Sequence, residues 1–211
     1  SEKAILDTIK ESFPEHAILS EEIGSITMDS VYKWIIDPID GTVNYAHGIP
    51  ICCVSVALEK NGVVMMGAVY NPFIREFYFA ERGVGAMLNN KPIRVSQEDS
   101  VLKSCLVTGF PYTYLDMPNG PLECFDRFIR KGIPVRRLGS AAMDLCWVAA
   151  GRFDAFYEHK LSAWDSAAGY LMVEEAGGRV SDFSGAPYSP YQPFILASNG
   201  IVHEEMLKWI N

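Results

Sequence analysis

The chain changes character abruptly within one short stretch, and that change limits the folds it can adopt. Residues 31–36 (VYKWII) form a largely apolar run, which is typical of a buried β-strand. Residues 37–42 (DPIDGT) follow at once and place two carboxylates where this strand is expected to end. Because Pro38 has a fixed φ angle and no N–H to donate, we expect the hydrogen-bond ladder to stop at this residue.

The two acids of this stretch, Asp37 and Asp40, are close enough in sequence to direct oxygen atoms at one point. Neighbouring carboxylates repel each other unless a cation or a proton lies between them, and hard divalent ions prefer oxygen ligands. Gly41 lets the backbone come close to a ligand, so the N–H groups of Gly41 and Thr42 can face an anion. The stretch therefore indicates a metal ion beside a phosphate. An ordinary turn remains the alternative, since aspartate, proline and glycine also cluster in turns.

Two further acidic segments bear on this choice. Glu21 and Glu22 follow a short predicted strand at residues 17–19, and Asp165 lies at the start of a predicted helix at residues 166–176. Taken alone, the glutamates fit a solvated loop and Asp165 fits a helix N-cap. Together with the Asp-x-x-Asp stretch, they would supply oxygen ligands from three segments to two or more divalent ions.

Composition narrows the class of protein and the partners that we expect. The 211 residues are 49% hydrophobic, and 18 Lys and Arg against 26 Asp and Glu give a net charge of −8. This balance argues against a broad basic face, so we expect no nucleic-acid partner. The five cysteines lack C-x-x-C spacing, which favours buried, reduced thiols in a cytoplasmic protein. Because no apolar stretch is long enough to span a bilayer, we expect no membrane association.

The order of predicted elements favours an α+β fold. Strands dominate the first half of the chain, where Asn61-Gly62 indicates a hairpin, and helices alternate with strands in the second half. We expect a loop at residues 23–30 and an irregular linker at residues 109–121. The predicted helices lie at residues 2–13, 122–129, 141–150, 166–176 and 201–210. This pattern predicts two sheets layered with helices in an α+β or mixed α/β sandwich.

The combined pattern resembles the inositol monophosphatase family of magnesium-dependent, lithium-sensitive phosphatases. The likeness extends over nearly the whole chain, and two aspartate motifs at this separation are highly specific. The segments that carry it are Glu21-Glu22, WIIDPIDGTVN at 34–44, GSAA at 139–142, WDSAAG at 164–169 and EAGG at 175–178. The resemblance implies that the chain is an enzyme, a phosphoric monoester hydrolase.

The same resemblance implies a fold and a metal site. The fold is a layered α-β-α-β-α sandwich, with residues 1–211 as one domain, sub-lobes at residues 1–110 and 111–211, and usually a homodimer. The site takes two or three Mg²⁺ ions. By this likeness, one ion is held by Glu21, Asp37 and the main-chain carbonyl of Ile39, and a second ion by Asp37, Asp40 and Asp165.

The chemistry implied is hydrolysis of a phosphate monoester by a metal-activated water. Glu21, with the hydroxyl of Thr42, would orient or deprotonate this water beside Asp37, and the N–H groups of Gly41 and Thr42 would bind the phosphate. These assignments follow from the family's motifs and agree with the anion-binding turn that the residues themselves suggest.

For the alcohol part of the substrate, the resemblance points to Glu158 and to the backbone N–H of Ala141, which match positions that contact hydroxyl groups. An exposed acid at the end of a strand is the plain alternative for Glu158. The residues implied in substrate binding are Asp40, Gly41, Thr42, Ala141, Glu158 and Asp165.

The expected substrate is inositol monophosphate or a similar small polyol or sugar phosphate. Histidinol phosphate, fructose 1,6-bisphosphate and adenosine 3′,5′-bisphosphate are alternatives, as is a non-catalytic regulatory protein on the same fold. The chain departs from the family upstream of Ser1, where relatives carry two leading helices and an earlier aspartate. We expect either a fragment of a longer protein or the loss of part of the catalytic apparatus.

Overall fold

Two β-sheets, built from successive parts of the chain, form the framework of this protein. The computed structural model describes residues 1–111 and 120–211. The first sheet is mainly antiparallel, with one parallel pair at its second and third positions. Its strands are β1 (Ala17–Ser20), β2 (Gly24–Ile26), β3 (Tyr32–Asp40), β4 (Cys53–Lys60), β5 (Val63–Asn71), β6 (Glu76–Glu81), β7 (Gly85–Leu88) and β8 (Lys91–Pro92), in the spatial order β2-β1-β3-β4-β5-β6-β7-β8.

The second sheet is smaller and of mixed direction. Its central strand pairs in parallel with one neighbour and antiparallel with the other. The strands are β9 (Leu106–Thr108), β10 (Val135–Arg136), β11 (Ala155–His159), β12 (Arg179–Ser181) and β13 (Phe194–Ser198), in the spatial order β10-β9-β11-β13-β12.

Helices lie outside and between the two sheets. They are α1 (Glu2–Ser12), α2 (Thr42–Ala46), α3 (Pro121–Arg130), α4 (Ala141–Ala149), α5 (Ala163–Glu175) and α6 (His203–Ile210), and a short 3₁₀ helix spans Val101–Lys103. The apolar residues of α1 pack on β1 and β3 of the first sheet, and those of α3 and α6 pack on the second sheet. Helices α4 and α5 share one core cluster with both sheets. The predicted α-β-α-β-α layering of an α+β fold is therefore confirmed.

Small residues let the middle layer pack closely on its neighbours. A Cβ at Gly67 of β5 would lie 2.9 Å from the backbone of Ala168 in α5, so only glycine fits at this crossing. A Cβ at Gly169 would lie 2.6 Å from the side chain of Leu145 in α4. Because interiors are close-packed, these contacts fix the position of α5 against both α4 and the first sheet.

Strand β3 corrects the expectation that the ladder stops at Pro38. The strand continues to Asp40, which pairs with Cys53 of β4, and the register shifts between Asp37 and Asp40. This irregularity accommodates Pro38, because a residue in a bulge need not donate a hydrogen bond to the ladder. The bulge also turns the backbone between the two acids.

Two further predictions are corrected. The predicted loop at residues 23–30 contains β2, an edge strand antiparallel to β1. Helix α5 begins at Ala163, earlier than predicted, so Asp165 lies in its first turn and Ser162 occupies the N-cap position. The N-cap interpretation of Asp165 is therefore wrong.

The predicted linker at residues 109–121 lies mostly outside the described residues, since residues 112–119 are not among them. The division into sub-lobes near residue 110 stays a prediction. Within residues 1–111 and 120–211, no helix has the length and apolar character needed to cross a membrane. All five cysteines are free, and four of them are buried.

Candidate active site

One cavity of about 460 Å³ opens where the end of β3 meets the beginnings of α2, α4 and α5. It brings together acids that are up to 144 positions apart in the chain, from Glu21 to Asp165. All of the site residues predicted from the sequence line it, namely Glu21, Asp37, Ile39, Asp40, Gly41, Thr42, Ala141, Glu158 and Asp165.

Asp37 lies at the centre of the acidic side of the cavity. Its carboxyl group is buried, and its Oδ1 accepts a hydrogen bond of 2.9 Å from the N–H of Ile39 across the bulge. Burial, together with the negative charges of Asp40, Glu21 and Asp165, raises its pKa to about 9. A carboxyl group in such surroundings is stabilised by a proton or by a cation.

Asp40 anchors α4 to the end of β3. Its Oδ2 accepts hydrogen bonds from the hydroxyl of Ser140 at 2.6 Å and from the N–H of Ala142 at 2.8 Å. Burial raises its pKa to about 6, and these bonds, with a further one from the N–H of Ala141, oppose that rise. Ser140 is the N-cap residue of α4, but its hydroxyl donates to Asp40 and does not cap the helix.

Asp165 both stabilises the start of α5 and lines the cavity. Its Oδ2 accepts a hydrogen bond of 2.7 Å from the N–H of Ser162, which ties the first turn of α5. Burial and the charges of Asp40 and Glu21 raise its pKa to about 7. One carboxyl oxygen is thus committed to the helix, and the group still faces the other acids.

The turn after Asp40 requires glycine. Gly41 has a φ of +87°, and a Cβ there would lie 2.8 Å from the carbonyl oxygen of Ile51. Asn44, which the sequence analysis did not single out, holds this turn by donating to the carbonyl oxygens of Ile51 and Leu138, both at 2.7 Å. Thr42 occupies the first position of α2, where a backbone N–H has no partner within the helix.

Glu158 lines the cavity from near the end of β11. Its carboxyl group occupies the space beside Gly109, where a Cβ would lie 2.1 Å from Oε1. Burial and the charges of Asp165 and Asp40 raise its pKa to about 8, and Arg137 opposes that rise. The cavity also contains Asp144 and Lys160, which the sequence analysis missed.

The donor set fits divalent cations. Carboxylates from three segments line one cavity, and burial is the largest cause that raises the pKa values of Asp37, Asp40 and Asp165. Among residues 1–111 and 120–211, no three His, Cys, Asp or Glu side chains are arranged so that they could already hold an ion. One oxygen of each of these aspartates accepts a hydrogen bond from a backbone N–H.

The model of the inositol monophosphatase family matches residues 1–211 of this chain. The chain belongs to this family. The resemblance drawn from the motifs is therefore confirmed, and the inositol monophosphatase fold explains why distant acids meet in one cavity. The family consists of phosphoric monoester hydrolases, and it is metal-dependent and lithium-sensitive.

Individual relatives agree with this assignment. The inositol-1-monophosphatase of Synechocystis sp. is 44% identical over 209 residues, which cover 98% of this chain and 72% of the relative. A protein of Pasteurella multocida named Nus factor SuhB is 40% identical over 210 residues, covering 99% of this chain and 79% of the relative. The solved structure of an inositol monophosphatase from Anabaena (Nostoc) sp. has a TM-score of 0.93 at 41% identity, covering 99% of this chain and 83% of that chain.

Proposed function

We propose that this chain hydrolyses the phosphate monoester of inositol, or of a similar small polyol or sugar, with Mg²⁺ in the acidic cavity. One observation carries the proposal: carboxylates from three separate segments and the Gly41–Thr42 turn line the same cavity. Carboxylate oxygens suit Mg²⁺, and backbone N–H groups at a turn suit phosphate. Membership of a family of phosphoric monoester hydrolases supports the same reaction class.

The proposed ligands follow the grouping of the acids. Glu21, Asp37 and the carbonyl of Ile39 would hold one Mg²⁺, and Asp37, Asp40 and Asp165 would hold a second. Bound divalent ions supply acidified water and stabilise charge on the leaving alkoxide. We propose two or three ions per site.

The other residues would bind and orient. The N–H groups of Gly41 and Thr42 would bind phosphoryl oxygens, on which negative charge is concentrated. Glu21, helped by the hydroxyl of Thr42, would orient the attacking water and accept its proton. Glu158 and the N–H of Ala141 would contact hydroxyl groups of the alcohol, and the burial of Glu158 in the cavity supports this role.

The test is phosphate release from myo-inositol 1-phosphate at increasing Mg²⁺ concentration, with wild type and Asp165→Asn. The substitution should lower kcat/KM at least about a hundredfold, because it removes a charged ligand while an amide can still accept the bond from Ser162. Asp154→Asn is the matched control. Asp154 is not among the residues that line the cavity, and it accepts hydrogen bonds from the hydroxyl of Ser96 and the N–H of Cys105. If Asp165→Asn releases phosphate as fast as wild type at low Mg²⁺, the assignment of Asp165 as a metal ligand is wrong.

A homodimer is proposed as the assembled form. Exposed aromatic side chains form two pairs, Tyr45 of α2 with Phe73 of the β5–β6 connection and Tyr70 of β5 with Phe77 of β6. Each of the four rings is at least 40% exposed. Exposed apolar patches of this kind mark interaction surfaces, and a second copy is the partner expected from the family.

The buried, free thiols support a reducing, cytoplasmic environment.

A second candidate function, binding of a regulatory partner, is favoured by the relatives named Nus factor SuhB. A cleft of about 380 Å³ between α3 and α6 is lined by Arg127, Arg130, Lys131, Lys208 and Trp209. On a chain of net charge −8, this concentration of positive charge would suit an acidic partner. The absence of a nucleic-acid partner stays a prediction.

This second function is tested with Lys131→Glu combined with Lys208→Glu. The double variant should elute from a heparin column at lower salt than wild type, and it should retain phosphatase activity because the cleft is separate from the acidic cavity. Unchanged elution would argue against the cleft as a binding surface.

A further inference from the structure

Asp144 is a buried acid that the proposed reaction leaves without a role. It lies in α4, is 1% exposed, and is one of the residues that line the cavity. Its Oδ1 has no hydrogen-bond partner among the described residues. Buried polar atoms in native proteins nearly always have partners, so an orphaned carboxyl oxygen calls for an explanation.

Other acids in the described part of the chain show how a structural carboxylate is satisfied. Asp154 accepts hydrogen bonds from the hydroxyl of Ser96 and from the N–H of Cys105, one on each oxygen. Glu59 accepts from Lys33 and from Tyr191. Asp144 has no such arrangement, which sets it apart from the acids that hold the fold.

The surroundings of Asp144 connect it to Glu158. After burial, the charge of Glu158 is the strongest influence that raises the pKa of Asp144, and Arg137 opposes the rise at both acids. Arg137 lines the cavity and forms no salt bridge with any residue in the described ranges. Two buried carboxyl groups thus share the influence of one cation in the cavity.

Glu158 has little freedom on its other side. Its carboxyl group fills the space beside Gly109, where any larger residue would collide with both of its oxygens. Gly109 therefore limits the positions that the Glu158 carboxyl can take on this side.

We propose that Asp144 is a positioning residue for recognition of the alcohol, acting through Glu158 so that the two carboxyl groups together select a hydroxylated substrate. This inference rests on the proposed function. A hydroxyl group both donates and accepts hydrogen bonds, and the unpartnered Oδ1 of Asp144 and the carboxyl group of Glu158 are offered to it in one cavity. The phenyl group of phenyl phosphate carries no free hydroxyl that could bind to these two carboxyl groups.

The test compares myo-inositol 1-phosphate with phenyl phosphate, in Mg²⁺, for wild type, Asp144→Leu and Asp144→Asn. Asp144→Leu should raise KM for the inositol ester about tenfold and leave KM for phenyl phosphate and both kcat values nearly unchanged, as expected for loss of one contact to substrate. Asp144→Asn should retain most of the preference, because an amide still supplies a donor and an acceptor.

Two controls separate positioning from general damage. Asp154→Asn removes a satisfied acid outside the cavity, and it should lower stability without altering the ratio of the two KM values. Glu158→Leu should change the ratio in the same direction as Asp144→Leu, and the double variant should be no worse than the more severe single variant, because both act on one contact.

The outcomes are distinct. Equal losses with both substrates, or additive effects of the changes at Asp144 and Glu158, would overturn the inference. If wild type releases phosphate from neither ester in Mg²⁺, the proposed function fails and this inference falls with it. If Asp144→Leu does not fold, Asp144→Ala replaces it with the same expected change in the KM ratio.

Discussion

The acidic cavity and the rest of the interior treat buried polar groups in opposite ways. Away from the cavity, His203 shows how a buried polar side chain is satisfied, since its ring contacts the hydroxyls of Ser181 and Ser198, both at 2.8 Å. In the cavity, Asp37 has acids as its nearest charges, and its pKa rises to about 9. The first arrangement favours stability, and the second leaves binding capacity for ligands.

The largest expected effect comes from Asp37→Asn, which removes the carboxyl group at the centre of the acidic cavity. Phosphatase activity should fall more than about a hundredfold, because Asp37 is a proposed ligand of both ions. The metal-free protein should become more stable by about 1–2 kcal/mol, since asparagine, unlike the buried carboxyl group, needs neither a proton nor a counter-ion beside the other acids. Activity assays and thermal unfolding without metal measure both effects. Reduced stability of the metal-free variant would show that Asp37 is a structural acid.

His203 should behave in the opposite way to Asp37, because its ring has hydrogen-bond partners and contributes to stability. Burial lowers its pKa to about 4, whereas an unfolded histidine titrates near 6.5. The folded state therefore keeps His203 neutral, and its contribution is present above pH 6.5 and is lost as the pH falls towards 4. The loss amounts to about 3 kcal/mol at most.

This prediction is measured by urea unfolding between pH 7 and pH 4 in wild type and His203→Gln. The variant should lose stability less steeply as the pH falls, because glutamine does not titrate. Identical slopes for the two proteins would mean that the folded state does not lower the pKa of His203.

A smaller effect compares two glycines that share a left-handed conformation. Gly41 has a φ of +87° with the carbonyl oxygen of Ile51 in the way of a Cβ, and Gly48 has a φ of +69° with open space. Both alanine substitutions should cost about 1 kcal/mol through backbone strain, and Gly41→Ala should cost about 1–2 kcal/mol more. Gly41→Ala should also impair phosphate release. Equal destabilisation of Gly41→Ala and Gly48→Ala in thermal unfolding would show that the turn at Gly41 accommodates a Cβ without additional strain.

Much of this site was predictable because its acids occur in dense, unusual motifs. Asp37 and Asp40, on either side of Pro38, and Asp165, near the start of a helix rich in small residues, indicated metal chemistry. Together with the family likeness, they also indicated the layered fold. The bulge in β3 was not predictable, because proline usually ends a ladder and only the pairing of Asp40 with Cys53 shows that it continues.

Single residues in ordinary contexts were missed for a different reason. Asp144 stands alone in the apolar helix α4, where an acid gives no motif, although a charged residue among buried positions is itself a signal. Asn44 and Gly109 act through contacts with distant segments, at Leu138 and Glu158 respectively. Such contacts depend on the tertiary structure and leave no local pattern.

The most direct test of the central claim is the thermal unfolding temperature of the protein as Mg²⁺ is added, in wild type and in Asp37→Asn. If the acids of the cavity bind the ion, Mg²⁺ should raise the Tm of wild type progressively, because a ligand that binds only the folded state stabilises it. The Tm of Asp37→Asn should change little over the same range. A wild-type Tm that is insensitive to Mg²⁺, or an equal rise in the variant, would contradict the account.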